Sequence, residues 1–175
     1  MTNSTLTFLT PQAHVANTAE VSVSLNGQQF SKSSTVHNPS KQAVFDFYEE
    51  PYVSYYTPAR GPTNGGTPVE VQGFNFRLNR PHLKDTLYAR FIDPNSKQEL
   101  APASEVREED LFADKFLWVT PAVNQSGDAV FQISLNKVDW SDVRDVSSGN
   151  SFNIYQSPHV TSINPSFGHV KAAKD

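Results

Sequence analysis

One segment of this chain occurs twice, and its period limits what the chain can fold into. Phe45, Phe47 and Tyr48, followed by Pro51, Pro58 and Gly61, recur as Phe152, Ile154 and Tyr155, followed by Pro158, Pro165 and Gly168, each 107 positions later. Upstream, Thr10 and Pro11 with Val21, Val23, Leu25 and Asn26 recur as Thr120 and Pro121 with Phe131, Ile133, Leu135 and Asn136, 110 positions later. The three-residue difference reads as a change of loop length. Solenoid units repeat at ~20–50 residues, whereas about 100 residues is the size of one small sandwich domain. The period therefore predicts a row of domains: the closing half of one at residues 1–50, a complete one at 51–157, and the first strand of another at 158–175. The middle unit is long enough to bury a core; the outer two are not expected to fold independently.

Strict alternation of apolar and polar residues supplies the fold class. Val21, Val23 and Leu25 alternate with Ser22, Ser24 and Asn26; Phe131, Ile133 and Leu135 alternate with Gln132 and Ser134; Leu87, Ala89 and Phe91 do the same. Phe45 with Phe47, Val69 with Val71, and Phe152 with Ile154 add shorter stretches. Period two marks strands with one buried face. Turn-forming clusters separate them at 61–66, 93–96, 124–127 and 147–150, rich in Gly, Pro, Asn and Ser. Acids in Glu105 and Glu108–Asp110 favour at most one helical turn within 104–115, ahead of the strand-like Phe116–Val119. Short strands and almost no helix predict an all-β, antiparallel sandwich. Pro51 and Pro158 stand at the joints with no glycine beside them. A fixed φ and a missing donor stiffen such joints, so a jointed rod is expected.

The stretch from Pro51 to Phe76 resembles the opening of an IPT/TIG domain, the immunoglobulin-like module of plexins, related receptors and Rel-type transcription factors. The residues that carry the resemblance are Pro51, Pro58, Gly61, then Gly65-Gly66-Thr67, the alternating Val69 and Val71, and Gly73 followed by Phe76. Gly65 and Gly66 suit a positive-φ approach to a strand. Gly73 suits a bulge that swings Phe76 into the core. The closing half, Val21–Phe30 and Phe45–Tyr48, fits the same module. The third copy keeps Pro158, Pro165 and Gly168 but lacks the Gly-Gly-Thr. The resemblance implies tandem immunoglobulin-like sandwiches with incomplete outer copies.

Composition excludes several classes of function. Net charge is −4 with no basic cluster, so no nucleic-acid partner is expected for these domains, because phosphate neutralisation drives such binding. There is no cysteine, hence no disulfide framework or thiolate metal site. No apolar run reaches the ~18–20 residues of a membrane span. His14, His37, His82, His159 and His169 are scattered, and Asp139, Asp142 and Asp145 lack the glycine and closing glutamate of a calcium loop. No nucleophile elbow, zinc-protease helix or phosphate loop is present. Neither catalytic residues, metal nor cofactor is expected. The sequons at Asn3 and Asn124 match what chance allows in a chain rich in Asn, Ser and Thr. The acidic run around Glu108 reads as a solvated surface.

Two places suggest protein contacts. Alternation buries one face of the first strand, so either Tyr55 or Tyr56 should lie near the surface, and Trp140 sits in a polar, acidic loop. Exposed aromatics are enriched where proteins meet. The expectation is a non-catalytic scaffold or spacer segment whose partners are other proteins, including neighbouring domains. Absence of cysteine tilts the setting toward an intracellular, cytoskeletal or ciliary assembly. A cell-surface adhesion or receptor segment and a transcription-factor dimerisation module are the alternatives.

Overall fold

The computed structural model describes residues 5–31, 43–78, 84–143 and 151–168. The chain divides into two compact units, Met1–Glu50 and Pro51–Asp175, and among the described residues it is nearly all β, with several sheets and no α-helix.

In the first unit β1 (Asn17–Glu20) and β2 (Val44–Phe47) form one antiparallel pair. Ala19 stands opposite Phe45 and Asn17 opposite Phe47. The alternation through Val21, Val23 and Leu25 predicted a longer strand, but pairing in this direction ends one bond beyond β1, where the Val21 amide donates to the Ala43 carbonyl. Leu25 is fully exposed and Val23 is 43% exposed. A strand is stable only where its backbone groups find partners and its apolar face finds cover. Little on this segment is covered.

The second unit holds β3 (Tyr52–Thr57), β4 (Arg60–Pro62), β5 (Pro68–Phe74), β6 (Tyr88–Ile92), β7 (Ser104–Glu105), β8 (Lys115–Val119), β9 (Gly127–Ser134), β10 (Ser141–Asp142) and β11 (Phe152–Tyr155). The segment 104–115, expected to be a loop with at most one helical turn, contains β7 and a single 3-10 turn at Glu108–Asp110. One sheet has the order β3-β5-β8. The other runs β4-β11-β9-β6-β7, with β10 also on β9. All pairs are antiparallel except β4 on β11, which is parallel.

Five rings join the two sheets. Tyr56 of β3 lies 5.8 Å from Phe131 of β9 and 6.5 Å from Phe152 of β11. Trp118 of β8 stacks on Phe131 at 4.9 Å and meets Phe91 of β6 edge-on at 5.0 Å. Phe91 also approaches Phe152 at 4.7 Å. The Trp118 indole N–H donates to Ser104 Oγ at 2.8 Å, so its one polar atom is satisfied. Val53, Val69, Val71, Ala89 and Ile133 complete this layer, all buried. Each large side chain so buried is worth about 1.5–3 kcal/mol, and each ring pair roughly 0.5–1.5 kcal/mol more.

Beyond β11, no strand occurs among the described residues 158–168. Val160, Ile163 and Phe167 are 78%, 72% and 85% exposed. The Thr57–Pro58 and Asn164–Pro165 bonds are both cis.

Candidate functional site

The residues of the Pro51–Phe76 motif act locally on the fold. Gly61 is buried against the Phe152 ring and Thr67; a Cβ there would lie 2.8 Å from Thr67 Oγ1 and 3.1 Å from Phe152 Cζ. Gly65 has φ +69°, and its Cβ would fall 2.5 Å from the backbone of Pro121. The Gly66 amide donates to the Thr120 carbonyl, and the Thr67 amide to Thr120 Oγ1 at 3.1 Å. The Gly-Gly-Thr turn thus locks onto Thr120-Pro121 at the end of β8, which ties the two motifs singled out in the sequence to one another. Pro51 is buried and Pro58 exposed.

Gly73 is the tightest position. A Cβ would sit 1.9 Å from the Tyr52 carbonyl oxygen. The register shifts by one residue between Val53 and Tyr55, opposite Gly73 and Gln72. The extra residue is therefore Ser54, and the bulge expected at Gly73 lies on the facing strand. The smooth backbone of Gly73 accommodates it. Phe76 is fully buried and meets Phe116 edge-on at 4.9 Å.

The candidate contact residues separate. Tyr55 is 42% exposed, whereas Tyr56 is 2% exposed within the ring cluster. Of the two candidates, Tyr55 is the one near the surface: the bulge at Ser54 turns Tyr56 to the same face as Val53, and a ring buried there is not open to another protein. Tyr55 shares the outer face with the stacked pair Tyr52 and Phe74, 6.5 Å apart. Trp140 is half-buried, with the Arg90 guanidinium 3.7 Å from its ring centroid. Arg90 also donates to Gln132 Oε1 and pairs with Glu99, while Gln132 donates to Asp142 Oδ1 at 2.7 Å. One face of Trp140 is thereby used inside its own unit.

The polar clusters are internally matched. Lys84 lies 3.6 Å from Glu105 and 3.8 Å from Glu108, and Arg107 pairs with Glu109 and Asp110. Asp139 accepts from Asn136, and Asp142 from Gln132. Asp145, His37, His82, His169 and Asn3 lie outside the described residues; Asn124 is exposed on a bend. No group of three metal-binding side chains occurs among the described residues, and no described helix is long and apolar enough to cross a membrane. Asp93 Oδ1 accepts the amides of Ser96 and Asn95 at 2.7 and 2.8 Å, and these bonds hold its carboxyl below its ordinary pKa.

The geometry that repeats is a hairpin. The pairs Ala19–Phe45, Thr18–Asp46 and Asn17–Phe47 of β1 and β2 match Ala129–Phe152, Asp128–Asn153 and Gly127–Ile154 of β9 and β11, at the sequence offsets of 110 and 107. The middle pair carries a side-chain bond in both, Thr18 Oγ1 to Asp46 and Asn153 Nδ2 to Asp128. The turns after β1 and β9 share most of their side-chain bonds; the Lys137 amide also donates to Ser134 Oγ. Asn26 Oδ1 accepts the amides of Gln28 and Gln29, each at 3.0 Å; Asn136 Oδ1 accepts those of Val138 and Asp139, at 2.9 and 2.8 Å. Ser24 and Ser134 each accept the amide two residues on, and Gly27 and Lys137 both take φ near the left-handed region, +72° and +63°. The Ser31 amide donates to Val23, as Ser141 pairs with Ile133. Sequence reasoning aligned Asn26 with Asn136 but missed this turn. Its signal was Ser-x-Asn, with an Asx-type side chain preceding a positive-φ residue.

No protein-family model matches the chain, and no curated protein matches it.

Proposed function

We propose that this chain is a non-catalytic structural or protein-interaction segment built from tandem immunoglobulin-like modules of the IPT/TIG kind, holding binding surfaces at fixed spacing. The observation that carries the reading is the repeated hairpin. Two segments of different sequence adopt the same strand register, turn bonds and positive-φ position, which is the behaviour of two copies of one module. The parallel β4 on β11, the antiparallel remainder and the two sheets facing across an aromatic core suit an immunoglobulin-like sandwich. Gly61 and Gly65 serve packing and Gly66 a positive-φ turn, and the polar clusters are paired among themselves, so the surfaces left for recognition are strand edges, end loops and the Tyr52, Tyr55 and Phe74 face. In this reading Pro51 restricts the joint between modules, and the spacing of those surfaces is the function.

The test is backbone ¹⁵N relaxation of the full chain. Amides on both sides of Pro51 are expected to report one rotational correlation time. Replacing Glu49, Glu50 and Pro51 by glycine and serine is expected to split it into two. Independent tumbling in the natural chain would remove the spacer role.

A further inference from the structure

The sequence holds two Asn-Gly pairs, Asn26-Gly27 and Asn64-Gly65, and Asn136-Lys137 stands where the first recurs. An Asn-Gly pair carries a slow reaction of its own. The backbone nitrogen after the asparagine can attack the side-chain carbonyl carbon, and glycine, having no Cβ, leaves that nitrogen unshielded. The structure treats this nitrogen differently at the three places. The Gly65 amide donates to the Pro62 carbonyl at 3.0 Å, and the residue packs against the Pro121 backbone. The Lys137 amide donates to Ser134 Oγ at 2.9 Å. The Gly27 amide makes no hydrogen bond among the described residues. Gly27 is exposed, with no atom within 4 Å of its Cβ position.

The asparagine half of the site is set as well. Asn26 Oδ1 accepts the Gln28 and Gln29 amides, each at 3.0 Å, and the Ser24 hydroxyl at 3.1 Å. These donors point at the oxygen that gains negative charge when the carbonyl carbon becomes tetrahedral, as in an oxyanion hole. Asn26 Nδ2, the leaving nitrogen, reaches Gln29 Oε1 at 3.4 Å, whereas Asn136 Nδ2 is held by Asp139 at 2.8 Å. Exposure of this turn does not come from missing cover. Asn136 to Asp139 are exposed too, in the unit whose core is closed.

We propose that Asn26 is a self-modifying site that deamidates through Gly27, while Asn64 and Asn136 persist. The Gly27 nitrogen bonds to Asn26 Cγ, the Cγ–Nδ2 bond breaks, and the proton of the Gly27 amide leaves with Nδ2 as ammonia. Water then opens the cyclic imide. Opening at the side-chain carbonyl yields aspartate; opening at the main-chain carbonyl yields isoaspartate, with the chain routed through Cβ and Cγ. Isoaspartate adds a methylene to the main chain inside the turn, so the Gln28 and Gln29 amides lose their acceptor. On the module reading above, this end loop is one of the recognition surfaces, and the reaction changes it with the age of the molecule.

The test holds the full chain in warm, mildly alkaline buffer and follows amide-to-acid conversion by peptide mass spectrometry. Isoaspartate is identified by resistance to a protease that cuts at aspartate. Asn26 is expected to convert at least about tenfold faster than Asn64, or about 1.4 kcal/mol of barrier, with Asn136 intact. Gly27→Ala should slow Asn26 by a similar factor. In urea the two Asn-Gly pairs should react at similar rates, because only the fold separates them. Equal rates in the folded chain, Asn26 intact while Asn64 converts, or a gap that persists in urea would overturn the proposal. None of these outcomes bears on the relaxation test, by which the module reading stands or fails.

Discussion

The two hairpins differ in cover more than in geometry. β1 with β2 and β9 with β11 share register and turn, yet Phe152 is 2% exposed and Phe45 is 40% exposed. Around β9, β6 supplies a second line of backbone partners from Val130 to Ser134, and β3, β5 and β8 supply the facing layer. Around β1 the described residues supply no second line of partners, and of a facing layer only Leu6 and Phe8, both more than half exposed. The shared turn, which joins Val23 to Ser31 and Ile133 to Ser141, shows that local sequence suffices for the turn's shape. The loss of strand after Glu20 shows that length depends on neighbours. Tertiary cover therefore decides how far an alternating pattern becomes a strand.

The largest expected difference comes from deleting the same ring in both places. Phe152→Ala should cost the second unit about 3–5 kcal/mol, the range for a buried phenylalanine, in urea unfolding followed by tryptophan fluorescence. Phe45→Ala should shift the same transition by under ~0.5 kcal/mol. Equal losses would mean the first unit's face is covered and would break the comparison. Next comes backbone approach. Gly73→Ala drives a Cβ into the Tyr52 carbonyl and should cost about 3 kcal/mol. Gly27→Ala meets no atom within 4 Å, so it should cost only the ~1 kcal/mol of a left-handed alanine.

A smaller contrast sharpens the turn. Asn136→Ala removes the acceptor for two amides and should lower stability by about 1–2 kcal/mol. Asn26→Ala should loosen its turn, seen as lost amide dispersion at Gln28 and Gln29, without moving the unfolding midpoint. The smallest effect belongs to Asp93, in the covered unit. Its folded pKa lies below the unfolded value, so its contribution is present above about pH 3.9 and is lost as pH falls through the folded pKa. An NMR titration should find this carboxyl still ionised where ordinary aspartates are half protonated; a midpoint at the ordinary value would contradict the amide bonds described.

Most of the all-β pattern was legible, because alternation at Val69 and Val71, Leu87 to Phe91 and Phe131 to Ile133 marks one buried face directly. Phe76 was marked by the family resemblance rather than by alternation, and it is buried without a bulge at Gly73, since the extra residue is Ser54 on the facing strand. Tyr56 was not decided by alternation alone: the bulge at Ser54 changes which face follows, and a bulge is set by the partner strand. The stretch after Glu20 failed for the opposite reason, as its pattern is intact and its neighbours are not beside it. Trp140 read as a loose aromatic because Arg90, its packing partner, is fifty residues earlier in the chain.

The central claim is that one hairpin occurs twice in one register. Cross-strand NOEs at low protein concentration test it most directly. The account predicts the Ala19–Phe45 and Thr18–Asp46 neighbours in the first unit and Ala129–Phe152 and Asp128–Asn153 in the second. A one-residue slip in either pair, or no pairing between β1 and β2, would contradict it.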